Sequence, residues 1–334
     1  MKHVLLGGIA TIAMLSGGLV GPAMASTPVE HPANQKCVDK PSASAKVIKG
    51  TKGWRDLDTV TRRQAEAMES QGESLVARAG LDRTAPRPNG SVRIPVHFHV
   101  VTNKEGKGFV SRARILKQIK VFNHAYSGRT SPVASDTPFR FVLKSVSRTE
   151  KTRWYGANYL AERGKKRLNS MKQTLHVGDA THLNVYTVGF QNTGTLGYAK
   201  FPLFSLRAPK LDGVVLWDET LPGGNAQFED EEGVLRYNQG DTGTHELGHW
   251  LNLFHTFQSS CMHPNDRVRD TPPQEIGENI FYCRANENTC GPRVDPKHNF
   301  MSYGDDVCLD RFTRGQRTRM DFGWSIRDAL SSID

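Results

Sequence analysis

Between Val92 and Trp217 the spacing of apolar positions changes repeatedly, and each change marks an element. Val92 to Val101 is rich in β-branched residues and reads as a strand. From Ser111 to Tyr126 the period is helical: Ile115, Ile119, Phe122 and Tyr126 share one face, and Ser111 is a good N-cap. Phe139 to Val146 reads as a second strand, Gly164 to Leu175 as a helix and His182 to Val188 as a third strand. Leu196 to Phe201 is a short fourth strand and Gly213 to Trp217 a fifth. A glycine-containing connection, Pro222 to Gly243, leads into a last helical stretch that begins near Thr244. Strands alternating with helices imply an α/β domain with a mixed, mainly parallel sheet and helices packed against it.

The N-terminal quarter is patterned differently. Lys2 and His3 precede an apolar, small-residue run from Val4 to Val20, and Ala23-Met24-Ala25 is an A-x-A cleavage site. Residues 1–25 therefore read as a secretory signal peptide, with Ser26 first after export. The run is short and glycine-rich for a membrane anchor, and no later stretch is long and apolar enough to span a bilayer. Residues 26–90 are poor in large apolar residues and read as a propeptide with a linker. One helix is expected at about Asp58 to Ala79, with Val60, Ala67, Met68, Leu75 and Val76 as a weak stripe. Arg62-Arg63, Arg78, Arg83 and Arg87 are basic sites at which a protease could cut. The remaining residues, 91–334, make the main domain.

Composition narrows the class. The chain has 334 residues, 37% of them hydrophobic, and a net charge of +10. The charge is spread out, its densest run being Arg163-Gly164-Lys165-Lys166-Arg167. A nucleic-acid-binding face would be more clustered, and no nucleic-acid motif is present. Export permits disulfides. Of the five cysteines, Cys261, Cys283, Cys290 and Cys308 follow the last helical stretch, and four can pair in three ways.

The last helix carries the chemistry. It reads Thr244-His245-Glu246-Leu247-Gly248-His249-Trp250-Leu251-Asn252-Leu253-Phe254-His255-Thr256. His245 and His249 are four apart, so their rings lie one turn apart on one face, where both can bind one zinc ion. Glu246 follows the first histidine and is placed to act as base on a water at an open ligand position. His255 is not on the same helical face, so a third ligand there requires the helix to end and the chain to turn. Asn252 sits where that turn must fall, and asparagine tolerates the left-handed conformation. The plainer reading is a buried amphipathic helix with incidental histidines, but the full pattern should arise in only about one such chain in a thousand. A structural zinc site would fill all four positions and needs no adjacent glutamate. His97 and His99 alternate on one strand face, and without a third partner they read as structural.

Asn299-Phe300-Met301-Ser302-Tyr303-Gly304-Asp305 supplies a second motif. Together with the long histidine motif it is similar to the signature of the metzincin zinc metalloproteases. Finer matches resemble the pappalysin family, in particular its short secreted microbial members. They are His245 to Phe257, Val268-Arg269-Asp270-Thr271-Pro272, His298 to Tyr303, and Phe312-Thr313 with Gly315-Gln316. The likeness is strong from His245 to Arg319 and weaker from Ile94 through Gly197-Tyr198-Ala199-Lys200-Phe201-Pro202.

The resemblance implies a metzincin-like zincin domain with a twisted mixed five-stranded sheet and an active-site helix. A loop-rich C-terminal subdomain with disulfides completes it. It implies an upper part of about 91–255, a lower part of about 256–334, and a cleft between them. Zinc would be held by His245, His249 and His255, with Glu246 as general base and acid. Met301 would form the floor beneath the histidines, and Tyr303 would steady the oxyanion, although plain packing also accounts for a buried tyrosine. Gly197, Tyr198 and Ala199 would lie on an edge strand that pairs with extended peptide substrates. The implied disulfides are Cys261–Cys290 and Cys283–Cys308. Calcium would bind at Asp266, the Val268 carbonyl, Asp270 and Thr271. Cys37 would be a latency ligand for zinc, or a cysteine lost with the propeptide.

Two positions depart from the family pattern. Asn252 replaces the usual glycine. Val307 directly precedes Cys308, with Asp305 and Asp306 just upstream, where relatives that prefer a basic residue after the cut carry an acid. The expected function is a secreted zinc endopeptidase made as a zymogen and acting on proteins or peptides. The competing expectation is a non-catalytic zinc-containing extracellular binding protein, against which the intact Glu246, His255 and Tyr303 argue.

Overall fold

The computed structural model describes residues 45–51, 60–81, 86–190, 193–231, 233–284 and 286–332. The chain divides into two units, 1–37 and 38–334, and the first lies wholly outside the described residues, as do the expected signal peptide and Cys37.

The strands are β1 (Ala45–Val47), β2 (Val92–Thr102), β3 (Phe139–Glu150), β4 (Leu183–Val188), β5 (Thr195–Ala199) and β6 (Val214–Trp217). They form one sheet in the order β1-β5-β6-β4-β2-β3. Pairs β2–β3, β2–β4 and β4–β6 are parallel, whereas β5 runs antiparallel to both β6 and β1. The sheet is thus mixed and mainly parallel, with the five expected strands and one more. The sixth, β1, comes from the segment read as propeptide. Its presence corrects one expectation: β5 is not the edge, because β1 covers it.

Helix α1 (Arg62–Arg78) falls inside the expected window, with Thr61 and Gln64 forming a capping box. Its inward stripe is Ala65, Gly72, Leu75 and Val76; Ala67, expected on that stripe, points to solvent. Gly72 is needed because a Cβ there would lie 2.8 Å from Ile326 Cδ1 on the last helix. Helix α2 (Arg112–Tyr126) buries the four residues its period picks out, Ile115, Ile119, Phe122 and Tyr126. They pack into the main core with Phe98, Phe141, Leu247 and Trp250. Helices α3 (Thr152–Tyr155) and α4 (Glu162–Leu175) cover the other sheet face through Trp154, Leu168 and Met171. The Pro222–Gly243 connection contains a hairpin, β7 (Gln227–Asp230) with β8 (Gly233–Arg236).

Helix α5 (Asp241–Trp250) carries the histidine motif, and every residue from Thr242 to Trp250 is buried. A loop-rich stretch follows, and helix α6 (Arg314–Ser331) closes the chain. Disulfides Cys261–Cys290 and Cys283–Cys308 staple that stretch. Among the described residues no helix is long and apolar enough to cross a membrane.

Candidate active site

Helix α5 is gripped from three sides. From α2, Tyr126 donates its hydroxyl to the Thr244 carbonyl at 3.1 Å, and Gln118 donates to the Gly240 carbonyl at 2.9 Å. Ahead of the helix, one Asp306 oxygen accepts the backbone amides of Gln239, Gly240 and Asp241 at 2.8–3.3 Å. A carboxylate suits that position because amides at a helix start are otherwise unpaired and the dipole there is positive. At the far end, Arg327 of α6 lies 3.5 Å above the Trp250 ring and donates to the Trp250 carbonyl. Asp212 binds both Arg327 and the Trp250 indole, at 2.8 and 3.0 Å. Burial pushes the Asp212 carboxyl up, but the Arg327 guanidinium, the Gly213 amide and the Trp250 indole together more than offset this and hold it below its ordinary value.

The helix then ends as the spacing requires. Asn252 adopts φ +79°, its carbonyl accepts from Arg319 at 2.9 Å, and the chain turns back. His255 thereby meets His245 and His249. The three Nε2 atoms lie 3.0–3.2 Å from one another. Three ligands about 2.0–2.1 Å from a tetrahedral zinc would be separated by roughly 3.3 Å. Two of the opposite ring nitrogens are fixed: His245 Nδ1 bonds the Phe300 carbonyl and His249 Nδ1 the Leu253 carbonyl, each at 2.7 Å. A carbonyl accepts only from a protonated nitrogen, so both Nε2 lone pairs face the centre. Burial pushes all three imidazoles below their ordinary range, which keeps them in the neutral form that binds metal. Among the described residues this is the one cluster of three or more histidine, cysteine or acidic side chains able to hold a metal ion.

Met301 packs closely against the middle of α5: a Cβ on Gly248 would lie 2.3 Å from Met301 Sδ. The Tyr303 ring packs against His255 and Phe257, with centroids 4.9 and 4.8 Å away. Its hydroxyl is not merely packed, because it donates to the Ala45 carbonyl. Glu246 is fully buried, and burial pushes its carboxyl well above the usual range. Oε1 accepts the Lys46 amide at 2.9 Å, and Oε2 has no hydrogen-bond partner among the described residues. Gly197 allows this closeness, since a Cβ there would lie 3.0 Å from Glu246 Cγ. Gly197 and Tyr198 are paired with Lys46 and Ala45 of β1.

Lys46 is the site residue that sequence reasoning missed. Its side chain is 0% exposed and its ammonium donates to the Gly304 carbonyl at 2.9 Å. Asp306, Asp241 and Asp305 surround it electrostatically, although burial outweighs them and lowers its pKa. Only the short β-prone run Ala45-Lys46-Val47-Ile48 in a polar segment could have flagged it.

The residues expected to bind calcium lie between the histidine helix and the start of α6 in the chain. One Asp266 oxygen accepts the Val268 amide at 3.0 Å, Thr271 lies beside it, and burial pushes this carboxyl up to about 8. Asp270, whose charge acts on Asp266, accepts from Thr313 Oγ1 and the Gly315 amide, each at 2.8 Å, at the start of α6. His97 and His99 bond Ser145 and Ser147 across β2–β3, as structural histidines do.

A buried His-Glu-x-x-His helix, a third histidine beyond a left-handed turn and a methionine packed against that helix define a zinc metalloprotease of the metzincin type. The comparisons make this specific. The family described as peptidase M43, pregnancy-associated plasma protein-A, matches residues 225–324. An extracellular metalloprotease of Pyricularia oryzae is 33% identical over 249 residues, covering 73% of this chain and 79% of that protein. Extracellular metalloprotease 1 of Coccidioides posadasii is 34% identical over 266 residues, covering 78% and 84%. Mature mirolysin of Tannerella forsythia, solved in complex with a cleaved peptide, matches with TM-score 0.56 at 25% identity, covering 73% of this chain and 99% of that one. A promirolysin mutant from the same organism shares the fold, with TM-score 0.61 at 24% identity and coverage of 81% and 94%. The chain belongs to peptidase family M43, the pappalysins, and is an extracellular zinc metalloprotease of that family.

Proposed function

We propose that the enzyme is an endopeptidase that takes extended protein segments along β5 and is made as a zymogen, with residues 1–25 as its export signal and 26–90 as its propeptide. The observation that carries this is β1. A strand of the chain's own N-terminal segment pairs with β5 and touches both Glu246 and Tyr303. A groove that accepts one extended peptide through backbone hydrogen bonds can accept others. While β1 lies there, substrates are kept out.

When bound by His245, His249 and His255, zinc supplies Lewis acidity and lowers the pKa of water towards about 7. Glu246 takes the water's proton through Oε2, which has no partner among the described residues, and returns it to the leaving amine. Tyr303 donates its phenolic hydrogen to the oxygen on which negative charge develops. Met301 and the carbonyls of Phe300 and Leu253 keep the histidines in place. We read the cleft as the division between the upper part, 91–255, and the lower part, 256–334. The Lys46 pocket, with Asp241 and Asp306 beside it, supports a preference for a basic residue just after the cut. Profiling with a peptide library tests this, and a preference for acidic or aromatic residues there would refute it.

For calcium we propose Asp266, the Val268 carbonyl, Asp270 and Thr271, whose proximity is supported by the bond from the Val268 amide to Asp266 and the charge of Asp270 acting on it. Calorimetric titration of chelated protein with calcium tests that site, and absence of binding heat removes it. Cys37 stays as a proposed latency ligand. A Cys37→Ala precursor should lose its latency, and one that stays latent argues against it. The main test is casein cleavage by the mature form, with a chelator and Glu246→Ala as controls. Activity that persists in Glu246→Ala would overturn the mechanism.

A further inference from the structure

We infer that the cleft carries an apolar subsite for the third residue after the cut, one that takes a large aliphatic or aromatic side chain; the inference rests on the endopeptidase reading above. Strand β1 marks the path of a bound segment. The peptide group between Ala45 and Lys46 faces both Tyr303 and Glu246. Lys46 therefore stands where the first residue after the cut would lie, and Ile48 where the third would lie. The Ile48 amide donates to the Gly194 carbonyl at 3.0 Å, so backbone pairing reaches this residue as well. Side chains alternate along an extended chain. Lys46 and Ile48 turn towards Tyr237, whereas Val47 joins the cluster of Phe257, Phe281 and Tyr303 on the other side.

The surroundings of Ile48 are apolar. Leu196, Ala226 and Tyr237 are fully buried, and Ile48, Trp217, Phe228 and Leu235 pack against them half-buried. Leu196 is the extra residue of a β-bulge, since Lys46 lies opposite Gly197 but Val47 opposite Thr195. A bulge of this kind re-aims a side chain. Ile48 does not fill the space available. A cavity of about 200 Å³ remains beside it, walled by Phe190, Leu196, Trp217 and Phe228. Packed interiors keep few voids of this size, and about 150 Å³ of dry apolar space is enough to bind benzene. A longer aliphatic chain or an aromatic ring therefore fits where Ile48 sits, while a charged side chain would lose water against these walls. Phe228 reaches the cavity from β7, outside the main sheet, with its ring centroid 6.1 Å from that of Trp217.

The subsite acts on binding and leaves the bond-breaking step to zinc and Glu246. Full burial of a leucine or phenylalanine side chain corresponds to roughly 10- to 100-fold in affinity. Ile48 is only half-buried, so the lower end applies. Proline at the third position forfeits the bond to the Gly194 carbonyl, because it has no amide hydrogen.

The test uses the mature zinc enzyme and a peptide that the library shows to be cut, varied only at the third residue after the cut. With phenylalanine or leucine there, kcat/KM should be about tenfold above glycine, with aspartate and proline at or below glycine. Phe228→Ala should lower the ratio of phenylalanine to glycine at least threefold. Phe228→Asp should lower it further and raise arginine above phenylalanine at that position. Circular dichroism and zinc content check that both variants fold, and each ratio is taken within one protein, so a general loss of activity does not affect it. Equal rates for phenylalanine, leucine and glycine would overturn the subsite and leave the endopeptidase reading standing. A phenylalanine preference unchanged in both Phe228 variants would place it elsewhere and overturn the subsite too. No cleavage of any peptide by the zinc-loaded enzyme would sink both readings together.

Discussion

Gly248 lies in the middle of the zinc-binding helix, and its backbone is outside the left-handed region, so conformational freedom does not explain it. Space does. A methyl at Gly248 would lie 2.3 Å from Met301 Sδ and 3.2 Å from its Cε, where ordinary contact needs about 3.5–4.0 Å. Gly248→Ala therefore forces α5 and the methionine turn apart by an ångström or more, on the order of the shortfall. Met301 is fully buried and has nowhere to retreat. Overpacking of this kind costs about 1–3 kcal/mol, and the better helix propensity of alanine returns about 1 kcal/mol. Net stability should fall by no more than about 2 kcal/mol. The larger effect should be on zinc, because the same turn carries the Phe300 carbonyl that orients His245 at 2.7 Å. Loss of such a supporting bond typically weakens metal binding about 10–100-fold. The assay is zinc retention against a graded chelator, alongside thermal denaturation with and without zinc. A cycle with Met301→Ala should show favourable coupling of about 1 kcal/mol, since the added methyl then fills the space vacated. If Gly248→Ala holds zinc and stability like the parent, and the cycle is additive, the contact does not matter and the reasoning fails.

Three further outcomes are expected. Asn252→Gly should keep stability within about 1 kcal/mol and full zinc content, whereas Asn252→Val should cost roughly 2 kcal/mol in chemical denaturation, because a β-branched residue resists the left-handed turn. Arg327→Met should cost about 3–5 kcal/mol by leaving Asp212 buried and unpaired, and adding Asp212→Leu should recover much of it. Burial pulls His99 from 6.5 down to about 4, so between those values the unfolded chain takes a proton that the folded one declines. Stability from this group is complete above pH 6.5, falls as pH drops towards 4 by on the order of 3 kcal/mol, and then levels off. His99→Gln should show a shallower decline over that window, and an unchanged slope would refute the assignment.

Much of this protein is local enough to read from the sequence. The four-residue step from His245 to His249 needs only a helix to bring two rings together. The apolar runs of β2, β4, β5 and β6 and the face of α2 are set by which side chains must leave water, which is why those elements fall within a residue or two of their expected bounds. By contrast, β3 runs four residues past its expected end, to Glu150, where its side chains are mostly exposed or half-buried. The position of Asn252 follows from the same local logic, since a third histidine six residues on demands a turn.

What depends on distant parts of the chain was not legible. A strand of three residues has no period to detect, and β1 exists because the free backbone groups of β5 pair with it, placing Lys46 against Glu246 across 200 residues of sequence. Asp212 and Arg327, which hold the back of the zinc helix, look like ordinary surface charges until the fold buries them as a pair. The link from Asp270 to Thr313 and Gly315 at the first turn of α6, more than forty residues on, was likewise invisible in the sequence. The sequence by itself determined the class of chemistry, because metal ligation depends on residue type and short spacing. Only the tertiary structure decided what pairs with β5, because a hydrogen-bonded strand edge is a long-range property with no signature in either partner alone.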